Sequence, residues 1–239
     1  MKTQPVQAGF ERWAVFEKIR TANRMHHREV SQALERVLTA SFEQPPRILD
    51  IGCGDARDIA AILKRVSAGD YIGIDNAAAA LDSARANLTG CPCPWRLIQG
   101  DYAEALAAVV PPFDLLWLGL FLHHLDSRQK QDFFEQAAEL LGPGGRVLAH
   151  DPVLLENEDR DGFIERIQRF SSAWPELAAE EREMLAHHWS QHGRQERLRR
   201  LNEMASQAGF SEMEILWRDP AEFYALVAFR RGTHPIEGH

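Results

Sequence analysis

The chain has 239 residues, 45% of them hydrophobic and 26% charged, enough for one large core of the α/β kind. Its formal net charge of −8 argues against a general electrostatic grip on nucleic acid or an anionic membrane. No apolar run reaches membrane-spanning length, no signal-like apolar stretch opens the chain, and three cysteines give no disulfide framework, so a cytoplasmic protein is expected.

Residues 10–39 predict one or two helices, with Trp13, Phe16, Ile19, Val30, Leu34, Val37 and Leu38 at helical spacing. Between them, Asn23-Arg24-Met25-His26-His27 offers a guanidinium, Arg24, that can bind a carboxylate through two bonds. An apolar strand near 47–51 then runs into Gly52-Cys53-Gly54, and a helix near 55–66 leaves the turn. Glycine tolerates positive φ and lets a bound molecule approach the backbone, so this unit points to a nucleoside-type ligand. It is not a dinucleotide fingerprint, because the third glycine position, where helix and strand pack closest, holds Arg57. No Lys-Ser or Lys-Thr closes a P-loop either. Arg57 rivals Arg24 for a ligand carboxylate; the alternative for each is a solvated arginine.

A second strand near 70–74 ends in Asp75, about twenty residues past the turn, where an acid can accept from both ribose hydroxyls. After a helix near 77–88, a third strand near 95–99 leads into Gly100-Asp101-Tyr102, where Asp101 can accept from an adenine amino group beside an aromatic face. One such aspartate is ordinarily a helix cap; an ordered series at strand ends is a stronger signal. A fourth strand near 113–118 runs into Gly119 and the segment ending His123-His124-Leu125. His123 is the candidate base or hydrogen-bond donor, against a plain core histidine. A helix near 127–141 stops at Gly142-Pro143-Gly144-Gly145, which turns into a fifth strand near 145–149. His150 and Asp151 close that strand and form a second candidate group, with Asp151 the candidate substrate contact, against a plain turn at Asp151-Pro152.

Residues 155–192 are again largely helical, and with the N-terminal segment they are expected to form a substrate lid above the strand ends, the alternative being plain packing helices. His187, His188 and His192 invite a metal reading, but no Asp, Glu or Cys completes a set, so no metal is expected. Cys91 and Cys93 lack further ligands in the same way. Arg194, Arg197, Arg199 and Arg200 alternate with acids as a solvated helix face does. A helix near 195–208 precedes two strand-like runs, Glu212–Trp217 and Phe223–Phe229, turned by Asp219-Pro220.

Taken in order, Leu49-Asp50-Ile51-Gly52-Cys53-Gly54, Gly73-Ile74-Asp75, Gly100-Asp101, Leu122-His123-His124-Leu125 and Leu141-Gly142-Pro143-Gly144-Gly145 resemble the successive motifs of class I S-adenosylmethionine-dependent methyltransferases. The resemblance covers residues 45–151 and, more loosely, 200–231. It implies a Rossmann-like doubly wound sheet, mostly parallel with an antiparallel C-terminal strand, plus helical lid segments. It implies S-adenosylmethionine as cofactor, its methionine part on the Gly52–Gly54 backbone, its ribose on Asp75 and its adenine on Asp101. Asp50, Cys53, Asn76, Tyr102 and Leu118 complete the implied cofactor contacts. One departure is Ala56, which stands where the family has its third glycine.

The expected organisation is one domain over 1–239: a helical cap (1–44), a cofactor-binding core (45–151), a helical insertion (152–194), and a C-terminal helix with strands (195–239). The expected activity is methyl transfer to a small or medium-sized organic acceptor by in-line displacement. A protein methyltransferase and a catalytically silent cofactor-binding subunit remain alternatives, and nothing in the sequence sets the oligomeric state.

Overall fold

The computed structural model describes residues 14–232, so Trp13 and the first residues of the N-terminal helical stretch lie outside the described part. In chain order the elements are α1 (14–21), α2 (His27–Ala40), β1 (Arg47–Ile51), α3 (Arg57–Leu63), β2 (Asp70–Asp75), α4 (Ala78–Leu88), β3 (Trp95–Gln99), α5 (Tyr102–Ala105) and β4 (Phe113–Gly119). There follow α6 (Ser127–Leu140), β5 (Leu141–Leu154), α7 (Arg160–Ser172), α8 (Ala179–His192), β6 (Glu196–Arg197), α9 (Leu198–Gln207), β7 (Phe210–Arg218) and β8 (Tyr224–Arg231). The sheet order is β3-β2-β1-β4-β5-β8-β7, with the short β6 paired to the end of β5. Strands β1 to β5 run parallel, and β8 is antiparallel to both of its neighbours. This is the Rossmann-like sheet with an antiparallel C-terminal strand that the motifs implied.

Alternation along the central strands sorts the core into two layers. Leu49, Ile51, Leu116, Leu118, Val147 and Ala149 pack on one face, against Phe133 and Phe134 of α6 and Met204 of α9. Ile48, Leu115, Trp117 and Leu148 pack on the other, against Val30 and Leu34 of α2 and Ile59 and Leu63 of α3. The start of α6 is fixed by a capping box: Asp126 accepts from the Gln129 amide, and the Gln129 side chain accepts from the Asp126 amide.

Two elements differ most from the sequence expectation, and the expected helix near 195–208 begins only at Leu198, after the short β6. The fifth strand spans Leu141–Leu154, because the glycine-rich stretch bulges within the sheet instead of turning outside it. Phe113 pairs Leu141 while Leu115 already pairs Arg146, and Gly144 takes φ +74° in the bulge. Helix α3 begins at Arg57, not at 55, because Gly54 and Ala56 both hold positive φ and only then does the chain turn helical.

The N-terminal and insertion segments meet in a third cluster above the strand ends. Val15 and Ile19 of α1 pack with Phe163 and Ile167 of α7, Leu185 and Trp189 of α8, and Phe223 beside β8. Lys18 pairs with Glu181 at 2.6 Å, and Arg24 with Glu176 at 2.7 Å, joining the same segments at the rim.

Candidate active site

The glycine turn is shaped by contacts that only small residues permit. Gly52 has φ +72°, and a Cβ there would stand 2.4 Å from the Phe121 ring. Gly54 has φ +53° with nothing within 4 Å of the position of a Cβ, which leaves a bare cradle facing open space. Asp75, at the end of β2, braces the turn: one carboxylate oxygen accepts from the Gly54 amide at 2.9 Å and the other from the Ala77 amide at 2.8 Å. Asp101 caps α5 by accepting from the Ala103 amide at 2.9 Å. Tyr102 stands edge-on to Phe121, and Asn76 is exposed next to Asp75. A carboxylate has about four acceptor positions, so both acids keep capacity for a ligand.

Asp50 lies beneath the turn, buried, with the Tyr71 hydroxyl donating to it at 2.7 Å. Burial, aided by the nearby Asp75 charge and opposed by Tyr71, pushes its carboxyl up to about 7. Burial also drives the Cys53 thiol upward, so Cys53 is a small packed side chain in the turn and not a nucleophile.

A cavity of about 290 Å³ opens between this turn and the helices above it. Its walls come from α1 and α2 (Phe16, Glu17, Arg20, His27, Val30, Leu34), from the turn and α3 (Asp50 to Asp58 in part), and from the ends of β4 and β5 (Trp117, Gly119, Leu120, His150). The charged groups of the wall are cross-linked. Arg20 pairs with Asp58 at 2.5 Å, His27 faces Asp58 at 3.2 Å, and Arg57 pairs with Asp55 at 2.5 Å and Glu17 at 3.1 Å.

The structure brings some nominated residues together and separates others. Asp50, Gly52, Cys53, Gly54 and Arg57 line the cavity, while Asp75, Asn76, Asp101 and Tyr102 stand at the ends of β2 and β3 beyond it. Leu118 is wholly buried in the layer under α6, so its side chain is not free to meet a ligand; its neighbour Trp117, on the opposite face, lines the cavity instead. Arg24 is not in the wall: both of its bonds go to Glu176, and it lies over the Trp174 ring.

His123 and Asp151 do meet. The His123 ring Nδ1 hydrogen-bonds one oxygen of Asp151, and the His123 amide donates to the other at 3.2 Å. Both are buried, away from the cavity wall, with the His123 ring 5.2 Å from Trp189 of α8. The His123 carbonyl also accepts from the Arg194 amide at 2.7 Å, so the pair ties the loop after β4 to β5 and to the exit of α8. Sequence reading grouped His150 with Asp151, but adjacent strand residues face opposite ways, and His150 is the one at the cavity. Arg20, His27 and Asp58 were not nominated. The signal for His27 was the i, i+3, i+4, i+7 stripe His27, Val30, Ser31, Leu34, which reads equally well as ordinary core, and no local pattern marks Arg20 or Asp58. Among the described residues no group of three or more His, Cys, Asp or Glu converges as a metal site would require, and no helix is long and apolar enough to cross a membrane.

Strand order, glycine turn and bracing acids together define a nucleoside-binding core of the class I methyltransferase kind. Residues 48–145 match the family described as a methyltransferase domain, so this core of the chain is similar to that family. It is 30% identical over 155 residues to the trans-aconitate 2-methyltransferases of Acidovorax sp. (strain JS42) and Acidovorax ebreus (strain TPSY), covering 65% of this chain and 54% of each relative. The chain thus spans about half the length of the curated relatives it matches. In fold it is similar to magnesium protoporphyrin IX methyltransferase from Synechocystis PCC 6803, solved with S-adenosylhomocysteine, with a TM-score of 0.63, 13% identity, and coverage of 94% of this chain and 95% of that one.

Proposed function

We propose that the chain transfers the methyl group of S-adenosylmethionine to a small or medium-sized organic acceptor held in the cavity under α1 and α2. The observation that carries this reading is the cavity itself, which joins the bare Gly54 cradle on one side to the ends of β4 and β5 on the other. The residues present fit the cofactor: a space no Cβ fills, and a wall with an excess of carboxyls toward a cationic ligand. When bound, S-adenosylmethionine supplies an activated methyl carbon open to in-line displacement. Gly52 to Gly54 receive the methionine end, the free acceptor positions of Asp75 take the ribose hydroxyls, and Asp101 takes the adenine amino group. Asp50 is drawn into its ionised form by a cation above it. His123 and Asp151 hold the loop after β4 in place, a positioning role. Correct placement of two reactants is worth roughly 7–11 kcal/mol, so no conspicuous catalytic base is required.

In the same reading residues 1–239 act as one domain, with 1–44 and 152–194 as cap and lid over the 45–151 core and 195–239 completing the sheet, in the cytoplasm and without nucleic acid as substrate. The named acceptor of the Acidovorax relatives, trans-aconitate, supports a small molecule over a peptide. Calorimetry with S-adenosylmethionine and S-adenosylhomocysteine, followed by a screen for S-adenosylhomocysteine release over a panel of acceptors, tests the activity. Failure of the protein to bind either nucleoside at millimolar concentration refutes it. Limited proteolysis tests the lid: cofactor is expected to protect cleavage sites in both helical segments, and unchanged cleavage counts against a lid.

A further inference from the structure

We propose that His150 is the polar contact that selects the methyl acceptor, and that this acceptor is an uncharged, hydroxyl-bearing molecule instead of a polycarboxylate. The inference rests on the methyltransferase reading of the cavity and deepens it. His150 is on β5 and pairs with Gly119 of β4, which in turn neighbours β1. Two strand spacings, about 10 Å, therefore separate it from the glycine turn, leaving room between them for a sulfur, its methyl and an attacking atom.

The side chain is 1% exposed, lines the cavity, and has its Nε2 without a hydrogen-bond partner. Native proteins rarely leave a buried ring nitrogen unpaired, since doing so costs about 1–3 kcal/mol, unless a water or a ligand completes it. A second orphan packs against it: the Tyr224 hydroxyl is buried and unpartnered, with the rings 5.5 Å apart. Nearby stand His27, with ring centres 6.3 Å away, and Trp217 at 6.5 Å. Burial, reinforced by His27 and His26, holds the imidazole far below its usual pKa, so it stays neutral around pH 7 with one donor and one acceptor nitrogen. A hydroxyl matches either nitrogen, because it both donates and accepts. A carboxylate can only accept.

The rest of the wall argues in the same direction. It holds four carboxyl side chains, Glu17, Asp50, Asp55 and Asp58, against the guanidiniums of Arg20 and Arg57. Both guanidiniums are already paired with those carboxylates. Of the two guanidiniums among the described wall residues, Arg57 is the one nominated for the cofactor carboxylate, so a polycarboxylate would enter a partly desolvated, net acidic space. Phe16, Met25, Leu34, Trp117 and Leu120 supply an apolar surround suited to a neutral body.

The test uses the whole chain saturated with S-adenosylhomocysteine, p-cresol as the neutral hydroxyl probe and trans-aconitate as the polycarboxylate, with binding read by calorimetry and by the ring-nitrogen resonances of ¹⁵N-histidine. We expect p-cresol to bind at least about tenfold more tightly than trans-aconitate and to shift the His150 resonance. His150→Phe is expected to weaken p-cresol about tenfold, the scale of one lost hydrogen bond, while His150→Gln, which keeps a polar contact, restores most of it. S-adenosylhomocysteine affinity should be the same in all three proteins. Tighter binding of trans-aconitate, no binding of p-cresol, or indifference of p-cresol to His150→Phe would overturn the inference alone. Absence of S-adenosylhomocysteine binding to the unmodified chain would overturn the methyltransferase reading and the inference with it.

Discussion

The ends of β4 and β5 carry two buried histidines in opposite circumstances. His123 is held by Asp151 through its ring and its amide, and it sits away from the cavity. His150, on the next strand, is buried more deeply, lines the cavity with part of its side chain, and keeps an unpartnered ring nitrogen. Burial alone does not distinguish a structural histidine from a functional one. The accounting of hydrogen bonds does, because a satisfied polar pair stabilises a connection while an unsatisfied one persists only where something else completes it.

This contrast predicts unequal costs. Asp151→Ala strips His123 of both contacts and loosens the junction of β5, the β4 loop and the exit of α8. Unfolding in urea should show a loss of about 3–5 kcal/mol, the range for breaking one side of a buried polar pair. His150→Phe removes no existing bond and should change stability by less than about 1 kcal/mol. Equal losses in the two variants would erase the distinction.

The next effect concerns the other wall of the cavity. Asp50 has its carboxyl raised to about 7 by burial, against an ordinary value of 3.8. Between those values the native state holds more protons than the unfolded chain, so stability falls as pH rises through the window and levels off above about 7. Asp50→Asn, which can still accept from the Tyr71 hydroxyl, should abolish this slope and raise the melting temperature more at pH 8 than at pH 4. The same variant should bind S-adenosylmethionine more weakly at pH 8, where the native carboxylate is charged. A melting temperature that responds to pH identically with and without Asp50 would show that the carboxyl does not titrate in this range.

A smaller effect separates the two arginines nominated for the cofactor carboxylate. Arg57 is in the cavity wall, and Arg24 is spent on Glu176. Arg57→Ala should weaken S-adenosylhomocysteine severalfold, whereas Arg24→Ala should leave its affinity unchanged. Each should cost no more than about 1 kcal/mol of stability, because partly exposed ion pairs contribute little. Weaker binding in Arg24→Ala alone would reverse the assignment.

How much of this was legible in the sequence follows the range of the interactions concerned. Strands β1 and β3 have the predicted bounds, and Asp75 and Asp101 fall at strand ends as expected, because apolar runs and turn residues act over a few positions. The pairing of His123 with Asp151 joins two motifs already under suspicion. The roles of Arg20, His27 and Trp117 were hidden for a different reason, and His150 was nominated only together with Asp151. They depend on which sheet face a side chain takes and on how α1 and α2 settle over the turn, neither of which any local pattern encodes. Leu118 and Trp117 differ by one position, and one position exchanges core for cavity.

Ala56 offers the finest probe of the turn. It stands where the family carries a third glycine, and it holds φ +52° as the residue before α3. A Cβ in that conformation costs roughly 1–2 kcal/mol, and the greater freedom of glycine in the unfolded chain returns part of it. Ala56→Gly should therefore stabilise the protein by about 0.5–1 kcal/mol in urea unfolding, an effect opposite in sign to most glycine substitutions. Ala56 is 4% exposed and packs with Ile59 and Leu63, so the lost methyl offsets some of the gain. If the variant is less stable than the native chain, packing of that methyl outweighs the strain. The alanine would then be a built part of the α3 layer, not a tolerated departure from glycine.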